Sequence, residues 1–330
     1  MFEAVTSTRN RRLLLNILRV VVSGGLLVWV VATIEIDELL NLVRDAEIGL
    51  LALAYVLAVI GLLLRALRWQ LLLNAVGVSV QFGRIVYLYF VGQFFSTFLP
   101  TGFAGDAMKV LEIGEKVDRA EATGTVIVDR LSGFVSLFLI GAIALPFAGS
   151  LVPQELAALI GILAMGVLGG SILLFEGRLL AWITSPLPNA LSLSGDGFLG
   201  HTYSAIVACG GRAVLRAVAI STLFNLEWMT AIYILAQALH ISVSFGHVVL
   251  FTPLAVTALL FPFAVSGLGV REGLYVTLYT QPGVDLTSTA ATGLGLATFT
   301  LDLCNSLIGG VLYLMAGARR IMEKQNDKLE

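Results

Sequence analysis

The fold of this chain is decided by the stretch FSTFLPTGFAGDAMKVLE (residues 95–112), in which an apolar helical pattern breaks at a proline and glycines and restarts with charge. A second stretch, LLFPFAVSGLGVREG (residues 259–273), repeats the pattern in the other half of the chain. We therefore predict two related halves that each contribute one broken helical hairpin to a shared site. Both stretches place a glycine five residues and a cation nine residues after the proline, which gives the sets Pro100, Gly105, Lys109 and Pro262, Gly267, Arg271.

The composition places the chain in a membrane. Of its 330 residues, 58% are hydrophobic and 13% are charged, whereas soluble proteins carry about 25% charged residues. The net charge of −2 argues against nucleic acid as a partner, because binding to phosphates along a strand needs a basic face. The scattered Lys and Arg residues are interpreted instead as indicators of topology.

Metal, disulfide and nucleotide chemistry have no support in the sequence. The two cysteines, Cys209 and Cys304, define neither a disulfide framework nor a clustered metal site. The three histidines, His201, His240 and His247, lack the paired spacing of zinc sites. Fingerprints of nucleotide-binding loops and of serine hydrolases are also missing. We therefore expect no metal, no cofactor and no catalytic residues.

Six stretches have the roughly 20 apolar residues that a membrane-spanning helix needs. Two further stretches, 82–117 and 247–281, contain the breaks, and each arm has only about 12–18 residues, too few for most spanning helices. We predict that these two are re-entrant hairpins, which dip into the membrane and return. The predicted fold is thus an all-α polytopic membrane protein with two re-entrant hairpins and six spanning helices, at residues 13–34, 48–73, 121–147, 155–175, 214–239 and 286–316.

The distribution of Lys and Arg predicts the orientation, because cytoplasmic loops carry an excess of both. Basic residues precede the first span, and Arg65, Arg68 and Arg84 lie near the end of the second. If each hairpin returns to the side from which it enters, the later basic residues also fall on the cytoplasmic side. They include those in a partly irregular loop over residues 176–213. Both termini are therefore predicted to be cytoplasmic, with the chain in the cytoplasmic membrane.

The predicted elements form two units, residues 1–150 and 151–330, each with the order span, span, hairpin, span. Because the two units cross the membrane in opposite senses, they are related by inversion about an axis in the membrane plane, as in many secondary transporters. Further matches in the same order support this repeat, with Arg68-Trp69 and Asp129 in the first unit and Glu227-Trp228 and Asp302 in the second.

The two breaks form the candidate site. Irregular backbone at membrane depth must be buried in protein or line a wet cavity, because lipid cannot satisfy free N–H and C=O groups. The helix that restarts after each break directs its positive dipole end into the membrane, and Lys109 and Arg271 add charge of the same sign. Each break is therefore a candidate anion site. In the structural alternative, Asp106 caps its helix and Glu272 neutralises a neighbouring cation.

The other deep charged residues need partners. Adjacent residues on a helix point about 100° apart, so Asp129 and Arg130 do not neutralise each other. Asp106 is the candidate partner of Arg130, unless Arg130 snorkels to the cytoplasmic surface. Arg271 is the candidate partner of Asp302. The full set of candidate substrate-binding residues is Gly105, Asp106, Lys109, Asp129, Arg130, Gly267, Gly269, Arg271, Glu272 and Asp302.

These motifs resemble one family, the flippase-like transmembrane region of lysylphosphatidylglycerol synthases and its short stand-alone relatives. The resemblance covers roughly residues 13–317 and is most specific in the run Gly267-Leu268-Gly269-Val270-Arg271-Glu272-Gly273. Two departures are Lys109, where the family more often has arginine, and Ala104, where a second glycine is expected. Lysine keeps the charge but not the bidentate phosphate contact of arginine. The other matching motifs are Arg68-Trp69, Leu99-Pro100-Thr101-Gly102, Gly105-Asp106, Asp129-Arg130-Leu131 and Pro262.

The resemblance implies a lipid flippase or scramblase that moves a phospholipid or lipid-linked headgroup between leaflets, without the soluble domain that makes the aminoacylated lipid in full-length synthases. The implied partners are a membrane lipid with an anionic phosphate or aminoacylated headgroup, and either a second copy of the chain or a separate lipid-modifying enzyme. Two alternatives stay open. One is a membrane-embedded transferase acting on a lipid-linked sugar, with Asp106, Asp129 or Glu272 as general base. The other is a small-solute transporter.

Overall fold

A computed structural model shows a helical protein, with one short 3-10 turn at Leu145–Phe147 among the residues that it describes. These residues are 44–99, 103–114, 117–147, 152–176, 197–260 and 269–326. Their helices, in chain order, are α1 (Ile48–Ala75), α2 (Phe82–Phe98), α3 (Ala104–Glu112), α4 (Arg119–Ala144), α5 (Gln154–Glu176), α6 (Phe198–Ala208), α7 (Gly210–Ala238), α8 (Phe245–Leu260), α9 (Val270–Tyr279) and α10 (Ser288–Asn326).

Five helices in the described part are long and apolar enough to cross a membrane, judged by length and composition. They coincide with five of the six predicted spans, which confirms the class of all-α polytopic membrane protein. The remaining predicted span, residues 13–34, lies outside the described residues. The five helices cover Ile48–Ala75, Arg119–Phe147, Gln154–Glu176, Gly210–Ala238 and Ser288–Gly317.

The outward faces of these helices are apolar. On α5, the side chains of Ile162, Met165 and Ile172 are 61%, 69% and 66% exposed. Soluble monomers rarely expose contiguous apolar surface on this scale. These faces therefore fit contact with lipid tails rather than with water.

The first predicted hairpin is formed by α2 and α3, which lie side by side and antiparallel. At its open end Arg84 pairs with Glu112 at 3.4 Å, and nearer the break the backbones of Gly92 and Gly105 touch. A Cβ on Gly105 would lie 2.2 Å from the Gly92 carbonyl oxygen, so the close approach requires glycine. The break itself, at residues 100–102, lies outside the described residues.

The second predicted hairpin is formed by α8 and α9. Phe251, near the middle of α8, packs edge-to-face on Tyr279 at the end of α9, with ring centroids 5.1 Å apart. The two helices therefore contact each other, and the break at residues 261–268 lies outside the described residues. At both predicted positions two short helices fold back on each other, and their re-entrant placement in a membrane remains a prediction.

Packing in the two halves corresponds pair by pair. Helix α1 packs most extensively against α7, which occupies the same place in the other half. The contacts of α1 with α2 and of α3 with α4 have counterparts in those of α7 with α8 and of α9 with α10. The inverted relation of the two halves and their division near residue 150 both stay predictions.

Helix α6 was not predicted, because residues 176–213 were interpreted as a partly irregular loop. The 11-residue helix packs against α4. There Gly124 makes room for Ala205, whose methyl would lie 2.7 Å from a Cβ added to the glycine. The prolines and the Ser/Gly run in this segment are typical of loops. For that reason the short helix that follows them was not predicted.

The close contact between α2 and α10 depends on Gly309. A Cβ at this position would lie 1.9 Å from the carbonyl oxygen of Phe90, so Gly309→Ala must push the two helices apart. We expect this substitution to lower the free energy of unfolding by about 1–3 kcal/mol, as measured by SDS unfolding followed by circular dichroism. The control is Gly166→Ala on α5, where nothing lies within 4 Å of the added Cβ. Equal losses in the two variants would contradict this account of the contact.

Candidate functional site

A cavity of about 350 Å³ lies among α1, α2, α3, α4, α7 and α10, with α8 at its edge. Its wall combines charged groups with aromatic side chains such as Phe224 and Trp228. In a spanning bundle, charged groups are costly unless they are paired or face water. The cavity therefore brings together charged side chains from several helices. The charged residues of its wall are Arg65, Arg68, Asp106, Lys109, Asp129, Arg130 and Asp302.

On the hairpin side of the cavity, Asp106 forms ion pairs with two cations. One carboxylate oxygen lies 2.8 Å from the Nζ of Lys109, and the other accepts a hydrogen bond from the Nε of Arg130. The predicted pair of Arg130 with Asp106 is thus confirmed. Arg130 therefore reaches towards α3, and its snorkelling to a membrane surface stays an untested alternative. Both cations are close enough to the carboxylate to share its charge.

Lys109 is further enclosed by aromatic rings. Its Nζ lies 4.3 Å from the ring centroid of Tyr89 and 5.3 Å from that of Trp69, and the residue is 6% exposed. Such cation–π contacts stabilise a charge that has lost its water. Lys109 therefore adds positive charge to the cavity wall although the residue is almost fully buried.

Asp129 lies at the centre of a second buried network. It accepts hydrogen bonds from the Nε of Arg68 at 2.6 Å and from the hydroxyl of Tyr89 at 2.7 Å. Arg68 also donates to the Oγ of Ser221 at 2.8 Å, which ties α1, α2, α4 and α7 together. The sequence indicated that Asp129 needs a partner, but Arg68 was interpreted as a cytoplasmic cation and as part of a repeated motif, not as that partner. In the structure Arg68 is 4% exposed.

The corresponding pair in the second half is Arg271 with Asp302. An Arg271 nitrogen lies 3.2 Å from one carboxylate oxygen of Asp302, and Gln93 donates to the other at 3.3 Å. This pair was also predicted and is confirmed. Asp302 lines the cavity, whereas Arg271 lies behind it, with its guanidinium 5.4 Å from the ring centroid of Phe299.

Asp106 and Glu272 lie in the first turns of α3 and α9. In the alternative in which both acids have purely structural roles, Asp106 was the helix cap and Glu272 the partner of a cation, and the structure shows the reverse. Glu272 was expected to neutralise a cation, but its carboxylate accepts a hydrogen bond from the N–H of Gly269 at 2.6 Å and so caps α9. Gly269 has a φ of 79°, which favours glycine at this turn. Asp106 was expected to cap α3, but that helix begins after Phe103 without a side-chain cap. Asp106 is instead the acid that neutralises cations.

The structure brings most of the predicted site residues to one place. Of the others, Arg271 and Glu272 lie behind the cavity wall, Gly269 begins α9, and Gly267 falls outside the described residues. The sequence did not indicate Arg65 of α1 or Asn225 of α7 as site residues. Arg65 was interpreted as a cation near the cytoplasmic end of its span, and Asn225 is an uncharged polar residue in a largely apolar stretch. The predicted residues that line the cavity are Gly105, Asp106, Lys109, Asp129, Arg130 and Asp302.

The wall of the cavity carries an excess of positive charge. It contains four cations and three acids, which leaves one positive charge in excess. Arg68, Lys109 and Arg130 are each paired with an acid. A cavity with this balance favours an anionic guest over a cationic one.

Five helices long enough to span a membrane, two pairs of short helices at the predicted hairpins and a charged internal cavity define a polytopic membrane protein. The chain belongs to the family of the lysylphosphatidylglycerol synthase transmembrane region, whose model matches residues 16–309. The resemblance that the motifs indicated is thereby confirmed. The chain is also similar to the UPF0104 membrane protein PH1989 of Pyrococcus horikoshii, with 26% identity over 136 residues. That match covers 39% of this chain and 40% of the relative, less than half of either protein.

Proposed function

We propose that the protein is a lipid flippase or scramblase that moves a phospholipid or lipid-linked headgroup between the leaflets of the cytoplasmic membrane. The observation that carries this proposal is the charged cavity of about 350 Å³ within a bundle of spanning helices. Charge inside a membrane is costly and by default functional. The family, described by a membrane region of a lipid-modifying synthase, supports a lipid substrate.

In this proposal the headgroup enters the cavity while the acyl chains stay against the apolar outer faces of the helices. The hairpins are re-entrant, since irregular backbone at membrane depth is tolerated where it lines a wet cavity. Lys109 and Arg271 act as counter-ions to the lipid phosphate. Each is already paired with an acid, so both supply positive potential, and one nitrogen of Arg271 has no hydrogen-bond partner within the described residues. Rocking of the two halves then exposes the headgroup to alternate sides.

The positions of the carboxylates favour transport over transferase chemistry. The candidate bases were Asp106, Asp129 and Glu272. The first two are ion-paired, and the third caps a helix. A general base needs an oxygen within reach of the proton that it removes. The oxygens of Asp106 and Asp129 are engaged by cations, and Glu272, although one of its oxygens has no partner within the described residues, is fully buried.

The test is leaflet redistribution of labelled lipids in vesicles reconstituted with the purified protein. A panel of anionic, zwitterionic and aminoacylated phospholipids is compared with empty vesicles, and lipid masses are recorded in the same samples. We expect selective movement of a phosphate-bearing lipid with no change in mass. A changed mass without movement would replace the proposal with a transferase, and inertness of all lipids would point to solute transport.

Arg271→Gln is expected to slow lipid translocation at least about tenfold, because removal of one member of a buried charge pair costs more than the 1.4 kcal/mol that corresponds to a tenfold change. The matched control is Arg119→Gln, which removes an exposed cation at the start of α4. Both variants are measured in the vesicle assay after reconstitution at equal protein density. Translocation by Arg271→Gln at the rate of the control would remove Arg271 from the proposed mechanism.

A further inference from the structure

We propose that Arg65 on α1 is the direct phosphate-binding residue of the cavity, and that Asn305 on α10 accepts a hydrogen bond from a donor elsewhere on the same headgroup. The proposed ligand class is a phosphodiester headgroup that carries a hydroxyl or ammonium group. This inference rests on the proposed function, since it places the lipid headgroup within the cavity. Neither residue was indicated as a binding residue by the sequence motifs.

Arg65 differs from the other cations of the cavity wall. Arg68, Lys109 and Arg130 are each paired with a carboxylate. Within the described part of the chain, Arg65 has no acidic oxygen within 4.0 Å, and its buried Nε has no hydrogen-bond partner. The excess positive charge of the wall is therefore located on Arg65.

Aromatic rings hold the Arg65 guanidinium without using its N–H groups. The guanidinium carbon lies 5.0 Å from the ring centroid of Phe224 and 6.0 Å from that of Tyr89. Such contacts stabilise the charge through the faces of the rings, while the planar fork of donors remains available at its edge. A phosphate is the anion whose geometry matches this fork, because it accepts two parallel hydrogen bonds.

Glu227 on α7 packs with its carboxylate against Gly61, one helical turn before Arg65 on α1. The carboxylate does not form an ion pair with Arg65, neither of its oxygens has a hydrogen-bond partner within the described residues, and Glu227 does not line the cavity. Glu227 therefore offsets part of the charge of Arg65 without occupying its donors. The position facing the cavity is left for a ligand.

Asn305 supplies the complementary group. The residue is 3% exposed, lines the same cavity, and its Oδ1 has no hydrogen-bond partner within the described residues. A buried acceptor without a donor is costly, so Arg65 and Asn305 add one unsatisfied donor and one unsatisfied acceptor to the residues of the cavity wall. A headgroup with a phosphate at one end and an O–H or N–H at the other satisfies both.

The test is direct binding to the full-length protein in detergent, measured by calorimetry with short-chain phosphatidylglycerol, short-chain phosphatidylcholine and free glycerol phosphate. Phosphatidylcholine retains the phosphate but has no headgroup donor. We expect wild type to prefer phosphatidylglycerol over phosphatidylcholine at least about tenfold, since an unpaired buried acceptor is penalised. Binding of free glycerol phosphate as tightly as the lipid would assign the same site to a soluble phosphate ester and overturn the lipid assignment.

Arg65→Gln is expected to weaken phosphatidylglycerol binding at least about tenfold. Asn305→Ala is expected to retain binding but to bring the two lipids to nearly equal affinity. Arg84→Gln is the matched control, because Arg84 also stacks on an aromatic ring, Tyr87 at 4.8 Å, but pairs with Glu112 and lies off the cavity. It is expected to bind as wild type does. Arg65→Lys, which keeps the charge but loses the fork, is expected to bind more weakly than wild type and serves as the readout if Arg65→Gln does not fold.

Unchanged phosphatidylglycerol affinity in a folded Arg65 variant would overturn the phosphate assignment. Retained discrimination against phosphatidylcholine in Asn305→Ala would overturn the role of that residue. Failure of the inference is distinguishable from failure of the proposed function. Arg65-dependent binding in a protein that moves no lipid in vesicles refutes the function alone, whereas lipid movement unaffected by Arg65→Gln refutes the inference alone.

Discussion

Asp129→Ala is expected to lower the free energy of unfolding by about 3–5 kcal/mol, because it leaves the positive charge of Arg68 buried without its carboxylate. Arg68 is 4% exposed, and its Nε donates to Asp129 at 2.6 Å. The variant also removes the acceptor of the Tyr89 hydroxyl, which adds a second unsatisfied buried group. SDS unfolding followed by circular dichroism measures the change.

Two controls separate the buried charge from a general effect of substitution on α4. Asp118→Ala removes an acid that accepts from the N–H of Ala120 at 2.7 Å at the start of the helix, and it is expected to cost about 1 kcal/mol as a lost cap. The double variant Arg68→Met with Asp129→Leu replaces both charges with apolar groups and is expected to recover most of the stability. A double variant as unstable as Asp129→Ala would show that the buried charge is not the cause.

Asp106→Asn is expected to lower stability by about 3 kcal/mol and to slow lipid translocation at least about tenfold. Lys109 and Arg130 share this one carboxylate. Its neutralisation leaves four cations against two acids in the cavity wall, so the excess positive charge rises from one to two. SDS unfolding and vesicle translocation are measured on the same preparations.

The double variant Asp106→Asn with Lys109→Met restores the charge balance of the wall. We expect it to regain stability but not translocation, because Lys109 is a proposed counter-ion of the lipid phosphate. Recovery of both properties would show that Lys109 serves only to pair with Asp106. That outcome would contradict its role in the proposed function.

Much of the architecture could be predicted because its determinants are local in sequence. A spanning helix is defined by a continuous apolar length, and each hairpin by a proline and glycines within a few residues. The pairs Arg130 with Asp106 and Arg271 with Asp302 were also predicted. The first pair follows from the directions of side chains on a helix, because Asp129 and Arg130 point about 100° apart and so need separate partners. The second pair was predicted as a match between two deep charges of the second half.

The remaining contacts depend on how distant helices pack. Arg68 and Asp129 are 61 residues apart in sequence, and nothing in either helix shows that their buried faces meet. The cavity position of Arg65 could not be predicted either, because a cation near the end of a span is normally interpreted as a surface residue. The exchange of roles between Asp106 and Glu272 depends on where each helix begins, and helix boundaries are the least reliable part of sequence interpretation.

Helix α2 makes close backbone contacts on two sides, with α3 and with α10. Residues two positions apart on a helix point about 200° from each other, so Phe90 faces Gly309 of α10 while Gly92 faces Gly105 of α3. Both contacts join backbone to backbone, with no flexible side chain between them to absorb a displacement. If α2 tilts, α3 and α10 are therefore expected to move with it as one rigid unit. Asp106 and Asp302, on those two helices, would keep their separation throughout such a movement.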